Sequence, residues 1–88
     1  MAGVLATVSI NPHTALEELR ARLQGYALTP REVEIALLLF CGLCNKEIAT
    51  ACAISEQTVK DHLRHVYEKT GIRQRTALMA RFLGLASP

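Results

Sequence analysis

Apolar residues along the chain recur at helical spacing, and no stretch alternates with period two over the length of a strand. Leu16, Leu19 and Leu23 fall at i, i+3 and i+7, while Glu17, Glu18, Arg20 and Arg22 fill the other face. That pattern predicts an amphipathic helix. Asn11 as cap and Pro12 at the first helical position start it, and Gly25 marks its end. Residues 1–11 show no clear period and read as a loose arm.

A second helix starts at TPRE, which carries a full capping box. Thr29 accepts from the amide of Glu32, the Glu32 carboxylate reaches back to Thr29, and Pro30 sits where its missing N–H costs nothing. This helix runs through LLLFC and stops at Gly42. Asn45 is the expected cap of a short third helix, NKEIATAC, and Ser55 that of a fourth, SEQTVKDHLRHVYEKT. Val59, Leu63, Val66 and Tyr67 give the fourth helix one buried stripe, and Gly71 closes it as a left-handed residue. A last helix is expected from about Arg75 to Leu83. The predicted fold is all-α.

Two short helices joined by about three residues, the second with exposed basic groups, suggest a helix-turn-helix. Ala49 falls where the two helices approach most closely, and Ile48, Cys52, Ile54 and Val59 supply apolar groups to lock the crossing. Gln57, Thr58, Lys60, Asp61 and Arg64 form the polar face of the second helix. Lys60 and Arg64 stand four residues apart and so project the same way, one turn apart.

LTPRE, GLCNKEIA, ISEQTVKDHLRHVYEKTGI and RTAL, in this order and spacing, resemble the LuxR/GerE-type DNA-binding domain of bacterial transcription regulators. The likeness spans about Leu28 to Leu83. It implies a four-helix unit, here with an additional N-terminal amphipathic helix, whose third helix enters the major groove and whose fourth contacts a second copy on DNA. Carried over position by position, it implies that Lys60, Asp61 and Arg64 face the bases and that Lys46, Gln57, Thr58 and Lys69 lie near phosphates. Bond-forming capacity agrees for most of them. Arg64 suits bidentate pairing with guanine, Lys60 reaches guanine O6 or N7, and the start of the Ser55 helix offers amides to a phosphate. Asp61 has two readings, an acceptor for cytosine N4 or an anion that tunes Lys60. Ala53 stands where the family usually has glycine, and Gln74 where it usually has a capping serine or threonine.

Charge sharpens this picture. From Lys60 onward there are six basic side chains against two acidic, whereas residues 1–59 carry four basic and six acidic. The second part is where a polyanion is expected to bind. Eighty-eight residues suffice for one small domain, divided here into an arm and helix (1–26) and the helix-turn-helix domain (27–88). The longest apolar run, Ile35 to Cys41, is too short to span a bilayer, and MAGVLATVSI lacks the positive start of a secretory signal. A cytoplasmic protein with reduced thiols is expected.

The cysteines and histidines offer other chemistry, and the spacing argues against it. Cys41, Cys44, His62 and His65 read C-x2-C-x17-H-x2-H, too long between the pairs and too short within the second for a zinc finger. Cysteine as small apolar filler is the preferred reading. A thiol-based redox response of Cys41 and Cys44 is a second expectation. Val33, Leu37, Cys41 and Cys44 also form an apolar line, expected to be covered by the N-terminal helix, to join two chains or to hold a protein partner. Leu78, Met79 and Phe82, with Leu83 and Leu85 beside them, are more apolar than one flank needs and are the candidates for dimerisation. No nucleophile–base set, phosphate-cradling loop or pair of carboxylates points to an enzyme, and neither metal nor cofactor is implied. The expected function is therefore sequence-specific binding of double-stranded DNA and regulation of transcription, by a homodimer on DNA, with RNA polymerase a further partner and no membrane involved.

Overall fold

A computed structural model describes residues 12–83. The arm, the Asn11 cap and Leu85 lie outside the described residues. Among those described, five helices and no strand are found: α1 (Pro12–Gln24), α2 (Pro30–Phe40), α3 (Asn45–Cys52), α4 (Glu56–Thr70) and α5 (Arg75–Leu83). No helix among them is long and apolar enough to cross a membrane.

Helix α2 is the centre of the fold and packs against each of the other four. It buries Val33, Ile35, Ala36, Leu37, Leu39 and Phe40, so nearly its whole circumference is apolar and covered. Its start is fixed as its sequence requires: the Glu32 amide donates to Thr29 Oγ1 at 3.2 Å, and the Thr29 amide donates to Glu32 Oε1 at 2.9 Å. Around α2 lie Leu23 of α1, Ile48 and Ala49 of α3, the Val59–Leu63–Val66 stripe of α4, and Leu78 and Phe82 of α5.

Helix α1 is part of this core rather than a free extension. Leu23 is fully buried, and Arg22 reaches the last turn of α5. Its guanidinium donates to the carbonyl of Phe82 at 3.1 Å and lies 5.4 Å from the centre of the Phe82 ring. A carbonyl in the last turn of α5 thereby gains a cationic donor, which its exposed end favours. Phe82 also stacks on Phe40 at 5.5 Å and meets Tyr26 edge-on at 5.6 Å.

That cluster corrects one expectation. Leu78 and Phe82 face the core and are covered by the chain itself, which leaves Met79, half-buried, as the dimerisation candidate with a free side. Of the outcomes expected for the apolar line, cover by the N-terminal helix agrees with the structure: α1 packs on α2, and Val33 and Leu37 are buried. Only Cys41 and Cys44 are exposed, so the four residues form no continuous surface for a second chain or a partner.

The turn between α3 and α4 sets the helix-turn-helix angle. Ala53 sits at φ 57, ψ 45, the left-handed conformation that glycine adopts freely and alanine does not. Its neighbour Ile54 donates back to the Ala49 carbonyl at 3.0 Å and closes the end of α3. Ala53→Gly is therefore expected to raise stability by about 1 kcal/mol, read from urea unfolding midpoints. An unchanged or lowered midpoint would show that the turn is not strained.

Candidate nucleic-acid interface

The register of α4 decides which side chains leave the protein. Val59, Leu63 and Val66 turn inward, and with 3.6 residues per turn this sends Gln57, Lys60 and Arg64 outward. Ser55 starts the helix, its hydroxyl accepting from the Thr58 amide at 3.0 Å. Gly71, at φ 75, ends it in the left-handed conformation, its amide donating to Tyr67 O at 2.9 Å. Both ends follow local sequence, so the helix and its exposed face are fixed by residues close in the chain.

Lys60 is exposed and has no ion-pair partner among the described residues. The Arg64 side chain is 61% exposed and lies 3.5 Å from Asp61 Oδ1. Gln57 donates to that same oxygen at 3.2 Å. Asp61 thus gathers Gln57 and Arg64, rather than Lys60, into one row along the helix. Thr58 is turned toward Ser55, the two hydroxyl oxygens 2.9 Å apart. Lys46 lies exposed near the start of α3, its side chain unpaired among the described residues.

Two expectations about α3 and α4 change on the structure. Cys44, not Asn45, is the residue before α3, and its amide donates to the Glu47 carboxylate at 2.8 Å. That amide holds the Glu47 carboxyl below its ordinary range. Asn45 is drawn away by Arg75, whose guanidinium donates to Asn45 Oδ1 at 3.0 Å and to the Leu43 carbonyl. Arg75 therefore ties the start of α5 to the entrance of the helix-turn-helix. In the sequence Arg75 is one of six basic residues, the start of the last helix and part of RTAL, and none of these marks its contact with Asn45.

Lys69 is the second change. Its ammonium lies 2.8 Å from Glu32 Oε1 and 3.2 Å from the carbonyl of Ala27, so its charge is paired within the protein, unlike that of Lys60. His65 Nδ1 approaches the other Glu32 oxygen at 3.4 Å. Burial alone raises the Glu32 carboxyl, but the Lys69 ammonium and the Thr29 amide outweigh it and leave the carboxyl below its ordinary value. Glu32 is the buried anion that joins the start of α2 to the far half of α4.

The thiols are all free. Cys41 and Cys52 line one groove of about 450 Å³ with Leu16, Arg20 and Leu37, whereas Cys44 stands at the start of α3. The C-x-x-C pair is thus divided between two surroundings. Among the described residues no three metal-binding side chains gather.

With this geometry in place, comparison with known proteins identifies the architecture. Residues 26–82 match the model of the family described as bacterial regulatory proteins, luxR family. A probable HTH-type transcriptional regulator, GfsR, of Streptomyces halstedii is 43% identical over 66% of this chain and 24% of its own length. The nitrate/nitrite response regulator protein NarP of Escherichia coli is 46% identical over 64% of this chain and 26% of its own. A putative HTH-type regulator of Aeromonas salmonicida is 40% identical over 80% of this chain and 36% of its own. The matched part of the chain thus spans only about a quarter to a third of these relatives. No solved structure matches at a comparable level of significance. Helix α1 lies outside the family match and adds to the unit. The chain belongs to the luxR family of bacterial regulatory proteins, and its helix-turn-helix is a DNA-binding domain of transcription regulation.

Proposed function

We propose that α4 lies in the major groove of a specific duplex, with Lys60 and Arg64 on base edges and Gln57, Thr58 and Lys46 beside phosphates. One observation carries this reading: two exposed cations, one turn apart, stand opposite the buried Val59–Leu63–Val66 stripe. Asp61 has its acceptor oxygen already engaged by Gln57 and Arg64, so it acts first by orienting Arg64. Any contact with cytosine N4 uses its remaining lone pairs.

The half-buried Met79 on α5 supports pairing of two copies, which places two α4 helices on half-sites related by a two-fold axis. The relatives' names describe transcription regulators, so we infer RNA polymerase as a further partner, binding rather than catalysis as the mode of action, and the cytoplasm as the place. Selection of bound sequences from random duplexes tests the reading. An inverted repeat is expected, and Arg64→Ala should lose preference at one base position in each half-site. Selection that enriches no sequence sinks the proposal; enrichment of single sites alone sinks the pairing.

A further inference from the structure

Beyond the base-facing row, the end of α4 carries a notch of about 330 Å³ lined by Arg64, Tyr67, Glu68, Gly71 and Arg73. Its two arginines come from different elements. Arg64 belongs to α4, and Arg73 to the short link before α5. In an unbroken helix, residues nine apart stand about 13.5 Å apart along the axis. The left-handed turn at Gly71 interrupts the helix, and both arginines line one concavity.

Charge identifies what fits there. Arg73 is exposed and has no hydrogen-bond or ion-pair partner among the described residues. Arg64 pairs only with the half-exposed Asp61, at 3.5 Å. Asp61 already offsets Arg64, and Glu68 is the single carboxylate in the lining, so Arg73 is the lining guanidinium that no carboxylate pairs with. A guanidinium fork matches paired anionic oxygens, and a backbone phosphodiester offers such a pair. Position agrees, because the notch begins at Arg64 and continues the Lys60–Arg64 row toward the end of the helix.

We propose that this notch holds one backbone phosphodiester of the bound duplex, with Arg73 as the clamping group that fixes the angle of α4 in the groove. The proposal rests on α4 being the DNA-reading helix. It adds a phosphate-binding residue that the family resemblance did not mark.

Equilibrium binding to a selected duplex tests it, using the full chain, Arg73→Ala, Arg73→Lys and duplexes carrying one neutral methylphosphonate at successive positions. Arg73→Ala is expected to weaken binding roughly 5- to 20-fold at moderate salt. It should also shrink the slope of log K against log salt by about 0.9. Base preference should stay the same, and Arg73→Lys should restore the slope. One methylphosphonate position should weaken the wild type and have no effect on Arg73→Ala. An unchanged slope, an altered base preference, a lysine variant that behaves like alanine, or no such position would each overturn the clamp. Inorganic phosphate at matched ionic strength should leave affinity unchanged; competition by it would assign the notch to the free anion instead. A wild type that fails to discriminate any duplex defeats the DNA-reading assignment of α4, a distinct outcome.

Discussion

Replacing Lys60 and Arg64 together by alanine is expected to erase most of the difference in affinity between a selected duplex and a random one. A good contact to a base edge supplies about 1–3 kcal/mol of discrimination. Two such contacts therefore account for about 2–6 kcal/mol, or roughly 30-fold to 10⁴-fold. Binding to random sequence should fall much less, because Lys46 and Arg73 remain as exposed cations for backbone attraction. Asp61 complicates the arginine half of the test. Without Arg64 its carboxylate keeps only the Gln57 donor and turns an uncompensated anion toward the phosphates. Arg64→Ala alone thus overstates the arginine contact, and Asp61→Asn on that background should recover part of the loss. Competition binding against unlabelled random duplex measures all three variants. Undiminished discrimination in the Lys60/Arg64 double variant would mean that α4 is not the reading helix.

What was legible in the sequence was local. The Thr29–Glu32 capping box, the Ser55 cap and the Gly71 stop each involve residues within four positions of one another, and each stands in the structure as the sequence predicts. Ala53 was legible in the same way, since its conformation belongs to one residue. The errors lie at long range. Asn45 has the chemistry of a cap, but Arg75, thirty residues on, takes its side-chain oxygen and moves the helix start by one position. Lys69 looks like a cation on a recognition helix until Glu32, thirty-seven residues earlier, folds beneath it. Leu78 and Phe82 exceed what a four-helix unit needs. The excess is used inside, because Phe82 closes a cluster with Tyr26, Phe40 and the Arg22 guanidinium. Local hydrogen-bonding patterns carry no information on which distant partner claims a side chain.

The claim on Lys69 has a thermodynamic signature of its own. Glu32 has a side chain only 5% exposed and receives the Thr29 amide, the Lys69 ammonium and the nearby His65 ring. Glu32→Ala removes the capping box and leaves Lys69 without its anion. Removing one partner of a fully buried pair costs about 3–5 kcal/mol and losing a cap about 1 kcal/mol. Lys69 is 35% exposed and finds water, so the expected loss is about 2–3 kcal/mol. The sign with pH follows from the carboxyl being held below its ordinary value of 4.5. In the window below that value the unfolded chain binds a proton that the folded one does not, so stability rises with pH there. The contribution is complete above the unfolded value and is lost as pH falls through the folded one. Glu32→Gln, which keeps the shape and removes the titration, should therefore show a flatter acid limb, its deficit against the wild type constant above about pH 5 and shrinking below. Lys69→Met should share the stability loss while leaving the salt dependence of DNA binding unchanged, because its charge is spent on Glu32. Urea midpoints across the acid range decide the first point and salt titration the second. Parallel acid limbs for the wild type and Glu32→Gln would mean that this carboxylate is not the anion that fastens α4 to α2.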